Sequence, residues 1–315
     1  MKFNRSARLD TSQVRDRRGS PGGRAGGFPG GRAGAAGGGL GLVGVIAVIV
    51  FAVLSGGSDG GGLAGGLLDQ LGGDDGGSQV ADNTELDESC RTGTDAGARD
   101  DCAVVAIVNS VQSYWSHAFD GSGEPYSNSP TVFYSGSTAT GCGRGSAAMG
   151  PFYCPSDTTV YIDLSFWKEL ETQFGADAST FTQAYVIAHE YGHHVQDLLG
   201  ATDSVTTRPG PASGSVRLEL QADCYSGVWA NHASTVPGAD GQVLISDITD
   251  ADIDNAVDTA GKIGDDWIQA HLGGSNPDPS KYTHGTTAQR QKWFKAGYST
   301  GDPNRCDTFA ASNLG

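Results

Sequence analysis

Glycine in the first 90 residues decides where this chain can begin to fold. The 315-residue sequence has 49 glycines, and many of them crowd into that front third. Glycine loses more backbone freedom on folding than any other residue and brings no side chain to a core. The folding unit is therefore expected over residues 89–315, long enough for one domain with a substantial core. Residues 1–35, rich in Gly and Arg, read as a disordered basic tail. Residues 59–88, dominated by Gly, Asp and Ser, read as a flexible linker.

Between tail and linker runs an apolar stretch from Leu40 to Leu54, and no charged residue occurs from 33 to 58. A spanning helix needs about 20 largely apolar residues. The strongly apolar part is shorter than that, but flanking Gly and Ala extend it, so residues 36–58 read as a transmembrane anchor. Residues 1–58 carry eight basic side chains against Asp10 and Asp16, a net of +6. Basic residues before the run and acidic ones after it predict a cytoplasmic N-terminus and an extracytoplasmic domain, a single-pass membrane protein. A cleaved signal peptide is the competing reading. It needs a small-x-small cleavage site, which the following residues do not offer.

The chain's net charge is −16, which leaves −22 for the part after residue 58. So acidic a domain argues against nucleic acid as a partner, since that needs a basic footprint. Six cysteines (Cys90, Cys102, Cys142, Cys154, Cys224 and Cys306) all follow the apolar stretch. An even number in an exported part suggests three disulfides. Proximity favours Cys90–Cys102 and Cys142–Cys154, leaving Cys224–Cys306, although sequence alone leaves other pairings open. A zinc knuckle fits poorly, because there is no Cys-x-x-Cys pair.

The later region reads as strands followed by helices, an α+β arrangement. Val104, Val105, Val108, Val111 and Trp115 recur at helical spacing and predict a helix from about 101 to 119. Residues 131–134 and 159–163 are β-branched and aromatic runs that read as strands. Further helices are expected near 166–174, 179–200, 215–231, 248–272 and 286–296. On the helix that opens at Ser179, the residues Phe181, Tyr185, Ala188, Gly192, Val195 and Leu199 form the expected buried stripe.

That helix carries His189-Glu190-Tyr191-Gly192-His193. Residues four apart share a helix face, so both imidazoles can reach one metal ion, with Zn2+ the natural choice. Glu190 follows the first ligand directly and can act as general base toward a metal-bound water. The pentapeptide alone arises by chance in unrelated helices. Twenty-six residues after His193 comes Glu219, with Asp223 four further on. Glu219 is the expected third ligand. Asp223 is expected to accept the free N–H of a ligating histidine, the contact that fixes its tautomer. Two solvated acids would be the plain alternative, but Leu218, Leu220, Ala222 and Val228 mark this helix as largely buried.

His194 lies about 100° round the helix from His193 and is expected to pack or face solvent. His117, His232 and His271 have no motif around them and read as structural or surface residues. His284 sits in a loop just before the last helix, where it can be presented to a cleft. It is a candidate donor to the oxyanion of a tetrahedral intermediate, with N-capping or a surface role as the alternatives.

The residues from His189 to Gln196, the stretch Leu218–Cys224 and the later Thr283-His284-Gly285-Thr286 together resemble the bacterial neutral zinc metallopeptidase family, YpfJ type. Residues 150–155 and 160–166 add to the resemblance, which spans essentially all of 89–315. It implies a zincin-like fold of the gluzincin kind, with a Glu third ligand followed four residues later by Asp. It also implies a zinc-dependent peptidase acting on peptide or protein substrates. The strand around residues 160–163 is the expected place for an extended substrate to pair. Two other functions remain open on the sequence: a zinc-containing envelope binding module without turnover, and a metal-dependent amidase acting on cell-wall peptides.

Overall fold

A computed structural model describes residues 1–19 and 80–315, apart from 203–204, 206–208 and 275. The chain opens with two short strands, β1 (Lys2–Phe3) and β2 (Val14–Asp16). After residue 80 come the helices α1 (Thr84–Ser89), α2 (Gly93–Ala96) and α3 (Asp100–Ser122). Then follow β3 (Thr131–Tyr134), the hairpin β4 (Ser137–Thr140) and β5 (Gly143–Ser146), β6 (Phe152–Cys154) and β7 (Thr159–Asp163). The remainder is mainly helical: α4 (Phe166–Phe174), α5 (Thr180–Leu198) and α6 (Gly214–His232). Strand β8 (Ile245–Asp247) precedes α7 (Asp250–Lys262), α8 (Asp265–His271) and α9 (Thr287–Thr300).

The main sheet has the order β2-β3-β7-β6, with β2 and β7 parallel to β3 and β6 antiparallel to β7. Its core strands are fully buried runs (Thr-Val-Phe-Tyr and Thr-Val-Tyr-Ile-Asp), which suits a sheet covered on both faces. Helix α3 is buried on all sides from Asp101 to Gln112, as expected of a stretch that is apolar on most sides. Helices α5, α6 and α9 pack closely together. A Cβ on Gly227 of α6 would lie 2.2 Å from the Phe294 carbonyl oxygen of α9, so backbone meets backbone there. At Gly192 of α5, an added Cβ would sit 3.0 Å from the Ala222 Cα of α6. Both approaches bring the polar residues of three helices to one place.

The structure overturns several expectations. Residues 1–18 are not a disordered tail. Val14 and Ala7 are fully buried, β2 extends the main sheet, and β1 pairs with β8. The side chain of Asn109 brackets Asp10, accepting its N–H at 2.8 Å and donating to its carbonyl at 2.9 Å. Asn83 does the same work at the sheet edge, accepting from Asp16 N–H and donating to the Val14 carbonyl. The described fold therefore includes the N-terminal strands and residues ahead of the boundary expected at 89.

The single-pass anchor fails on the same observation. Residues 36–58 lie outside the described residues, but a single crossing there would put β2 and β3 on opposite sides of a membrane. They are hydrogen-bonded neighbours. Among the described residues no helix is long and apolar enough to cross a membrane. The expected transmembrane helix at 36–58 is therefore not supported, nor is the single-pass membrane localisation that rested on it.

Smaller corrections have local causes. The single helix expected over 248–272 is two, broken at Ile263–Gly264, where an added Cβ on Gly264 would lie 2.6 Å from the Thr287 nitrogen. Leu199, expected in the buried stripe of α5, is 52% exposed because the helix ends at Leu198. The disulfides are Cys90–Cys102 and Cys142–Cys154, the two pairs that proximity favoured, and Cys224–Cys306, the pair that these left.

Candidate metal centre

Ser179 caps α5 by accepting the Thr182 N–H, and Ser213 caps α6 by accepting that of Val216. From these fixed starts the two helices present His189, His193, Glu219 and Asp223 to one another. The ligand atoms of His189, His193 and Glu219 all lie within 4.8 Å of each other. His189 Nε2 is 3.2 Å from Glu219 Oε2, and His193 Nε2 is 3.5 Å from Glu219 Oε1.

The other nitrogen of each ring is already committed. His189 Nδ1 donates to Asp223 Oδ1 at 2.9 Å. His193 Nδ1 lies 2.9 Å from Gln196 Oε1, and Gln196 spends its own N–H groups on the Leu218 carbonyl and Gln221 Oε1. Both rings thus carry their proton on Nδ1, leaving two Nε2 lone pairs and a carboxylate facing one point. Three acceptors converging in a buried place call for a cation. Two imidazoles and a carboxylate are a zinc donor set, so the residues fit the metal.

Protonation is the only other answer, and the electrostatics show the competition. Burial lowers the His189 pKa, but the Asp223 and Glu219 carboxylates reverse this and raise it to about 10. Burial brings His193 down to about 4. Glu219 is driven below its ordinary value, because His284, His193 and His189 together outweigh the upward push of burial.

Asp223 is fully buried and accepts four polar contacts in all. Beyond His189 it accepts from Tyr185 Oη at 2.7 Å, and from Arg290 Nε and Nη2, each at 2.9 Å. Arg290 Nη1 also comes within 3.9 Å of Glu219. A buried carboxylate and guanidinium so paired satisfy each other's charge and fix the helix that carries Glu219.

Glu190 is partly buried at the mouth of the same cleft, where the Tyr153 N–H donates to its Oε2 at 3.0 Å. Burial is the main cause that lifts its pKa to about 7. His284 lines the cleft as well. Its Nδ1 faces Asp265 Oδ1 at 3.3 Å and Thr283 Oγ1 at 3.0 Å. Burial lowers its pKa, and Glu219 and Asp265 raise it to a net upward shift.

The remaining histidines point elsewhere. His194 is buried, with Nε2 on the Ser127 carbonyl and Nδ1 near Tyr153 Oη. His117 and His232 bond backbone carbonyls, and His271 stacks on Trp267. The structure also moves the expected substrate strand. β7 is hydrogen-bonded on both sides, to β3 and β6, so the open edge beside the cleft belongs to β6.

The sequence profile of the family described as "Putative neutral zinc metallopeptidase" matches residues 1–309. The chain belongs to that family. Zn2+ is accordingly its cofactor, and peptides or proteins are the substrate class that the family implies. Among its relatives is the Mycobacterium tuberculosis protein named "Uncharacterized protein Rv2575", 48% identical over 238 residues, or 75% of this chain and 79% of the relative. The Escherichia coli protein named "Uncharacterized protein YpfJ" is 43% identical over 212 residues, covering 65% of this chain and 70% of its own length. No solved structure matches the chain. The family match includes the N-terminal strands, in keeping with their place in the fold.

Five residues of this neighbourhood escape a reading of the sequence: Tyr153, Tyr185, Gln196, Asp265 and Arg290. Gln196 and Tyr185 carry a local signal, since they lie three residues after His193 and four before His189 on the same helix. The others reach the site through tertiary packing.

Proposed function

We propose that this protein hydrolyses peptide bonds, with His189, His193 and Glu219 holding the zinc and Glu190 serving as the general base. The observation that carries the reading is the convergence of two Nε2 atoms on the Glu219 carboxylate while each Nδ1 is spent elsewhere. When bound, zinc supplies Lewis acidity and lowers the pKa of water from 15.7 to about 7.

The chain's own residues do the rest. Glu190 takes the proton of the attacking water on its carboxylate and returns it to the leaving amine. The Tyr153 N–H holds one carboxylate oxygen and so orients the other toward the cleft. His284, with Nδ1 turned to Asp265, offers Nε2 as a donor to the developing oxyanion. The open edge of β6 provides backbone groups against which an extended peptide can lie. A zinc-holding module without turnover would need no partly buried carboxyl raised to about 7 beside its ligands.

Glu190→Gln tests the assignment. It should bind zinc in the same stoichiometry and lose peptide hydrolysis by several orders of magnitude. Undiminished cleavage by that variant would sink the mechanism.

A further inference from the structure

Beside the zinc ligands the cleft continues into an apolar pocket that the chemistry above does not use. Its walls come from three elements distant in sequence. Helix α4 contributes Phe166, Leu170 and Phe174, spaced by four residues, with Glu169 on the same face. Helix α5 adds Val186, one turn before His189, and Ile263 and Ile268 line the cleft from around the α7–α8 junction. The cleft measures about 150 Å³. That volume covers the space at the ligands and the apolar part together, so the apolar part has room for about one side chain.

We infer that this pocket receives a large apolar side chain from the residue next to the bond being cut, so that the substrates are peptides with Leu, Phe or a similar residue flanking that bond. The inference rests on the peptidase reading. Distance argues for the adjoining residue rather than a remote one. Val186 and His189 are three residues apart on one helix face, about 4.5 Å along the axis. Consecutive residues of a peptide are 3.8 Å apart. A side chain seated on Val186 therefore belongs to a residue whose own peptide group lies at the ligands. Glu169 adds a sign to the pocket: its carboxylate disfavours Asp and Glu there.

The test digests a peptide library, randomised on both sides of the cleaved bond, with the zinc-loaded full chain and reads products by mass spectrometry. Leu, Ile, Met and Phe should exceed Ala and Gly on one flank by about 10-fold or more in kcat/KM, the discrimination that a few methylenes bring in such a pocket. Val186→Phe fills the pocket and should shift the profile toward Ala and Gly. Ile268→Ala enlarges it and should shift the profile toward Phe and Trp. The same ranking is expected in peptide binding to the Glu190→Gln protein, measured without turnover. Zinc-dependent hydrolysis with no apolar bias on either flank, or a bias that neither substitution moves, would overturn the pocket assignment alone. Absence of hydrolysis of any library peptide by the wild-type chain would overturn the peptidase reading and this inference with it.

Discussion

The Asp265 carboxylate holds His284 by two routes, 2.7 Å from its backbone N–H and 3.3 Å from its ring Nδ1. The same oxygen that takes the His284 N–H also takes those of Thr283 and Gly285, at 2.8 and 2.9 Å. Loop and ring are thus set together, and Nε2 is the nitrogen left for the cleft. His284→Ala should lower kcat by a factor on the order of 10²–10³, the usual loss of an oxyanion donor, with little change in KM. Asp265→Asn should fall between that variant and wild type, and should add nothing once His284 is gone. Full additivity in the double variant would show that Asp265 does not act through His284.

Asp265 also sets a limit in acid. Burial pushes its carboxyl up, but the His284 ring and the backbone N–H groups more than offset this and leave it below its ordinary value. A group whose pKa is depressed in the folded state contributes stability above its unfolded value, about 3.9 for Asp. That contribution is lost as pH falls through the lower folded value. Wild type should therefore lose stability steeply below about pH 4, while Asp265→Asn starts lower at neutral pH and falls less steeply. Parallel acid-unfolding curves for the two proteins would contradict the assignment.

Asp223 joins His189 to Arg290, and its removal should be felt in both metal binding and stability. Asp223→Asn keeps the shape but weakens the acceptor of the His189 ring, so zinc affinity should drop by about 10–100-fold in competition with a chelator. Asp223→Ala leaves the buried Arg290 guanidinium without its partner, at a cost of about 3–5 kcal/mol in unfolding free energy. Unchanged zinc affinity in the Asn variant would mean that the His189–Asp223 contact does not tune the ligand.

Much of this architecture is legible in the chain's own pattern. The strands at 131–134 and 159–163 stand out because β-branched and aromatic residues run together there. The helices of the candidate site stand out because His189, His193, Glu219 and Asp223 repeat the four-residue spacing of a helix face. Other parts leave no such trace. β2 is Val-Arg-Asp inside a charged segment, and three residues are too few to show a period. The arginines in and just after it invite a reading as surface charge, yet Arg18 pairs with Asp16 and with Asp101 across the fold. Likewise α7 and α8 read as one helix, although the chain breaks at Ile263–Gly264, where Gly264 packs against the Thr287 backbone, a contact that no periodicity along the chain reports. Arg290 and Asp265 acquire their partners from the packing of α9 and α8, which no spacing along the chain reports.

The N-terminal strands supply the last expectation, because they bind the two ends of the domain together. β2 lies on β3 at one edge of the main sheet, while β1 lies on β8, the strand that leads into α7 and so toward Asp265. Between them Ala7 is fully buried and Asp10 is held on both backbone groups by Asn109, while Val14 at the start of β2 is fully buried. Removing residues 1–18 strips the β3 edge, leaves the Asn109 and Asn83 amides without their backbone partners, and opens apolar surface under Val14. Each buried polar group left unpaired costs about 1–3 kcal/mol, and loss of a buried valine adds about 1.5–3 kcal/mol. Those sums rival the whole stability of an ordinary domain. The truncated chain should therefore unfold at markedly lower denaturant concentration or fail to fold, and a synthetic peptide of residues 1–18 should raise its unfolding midpoint in a concentration-dependent way. A truncated chain as stable as the full one would show that these strands are attached to the fold without supporting it.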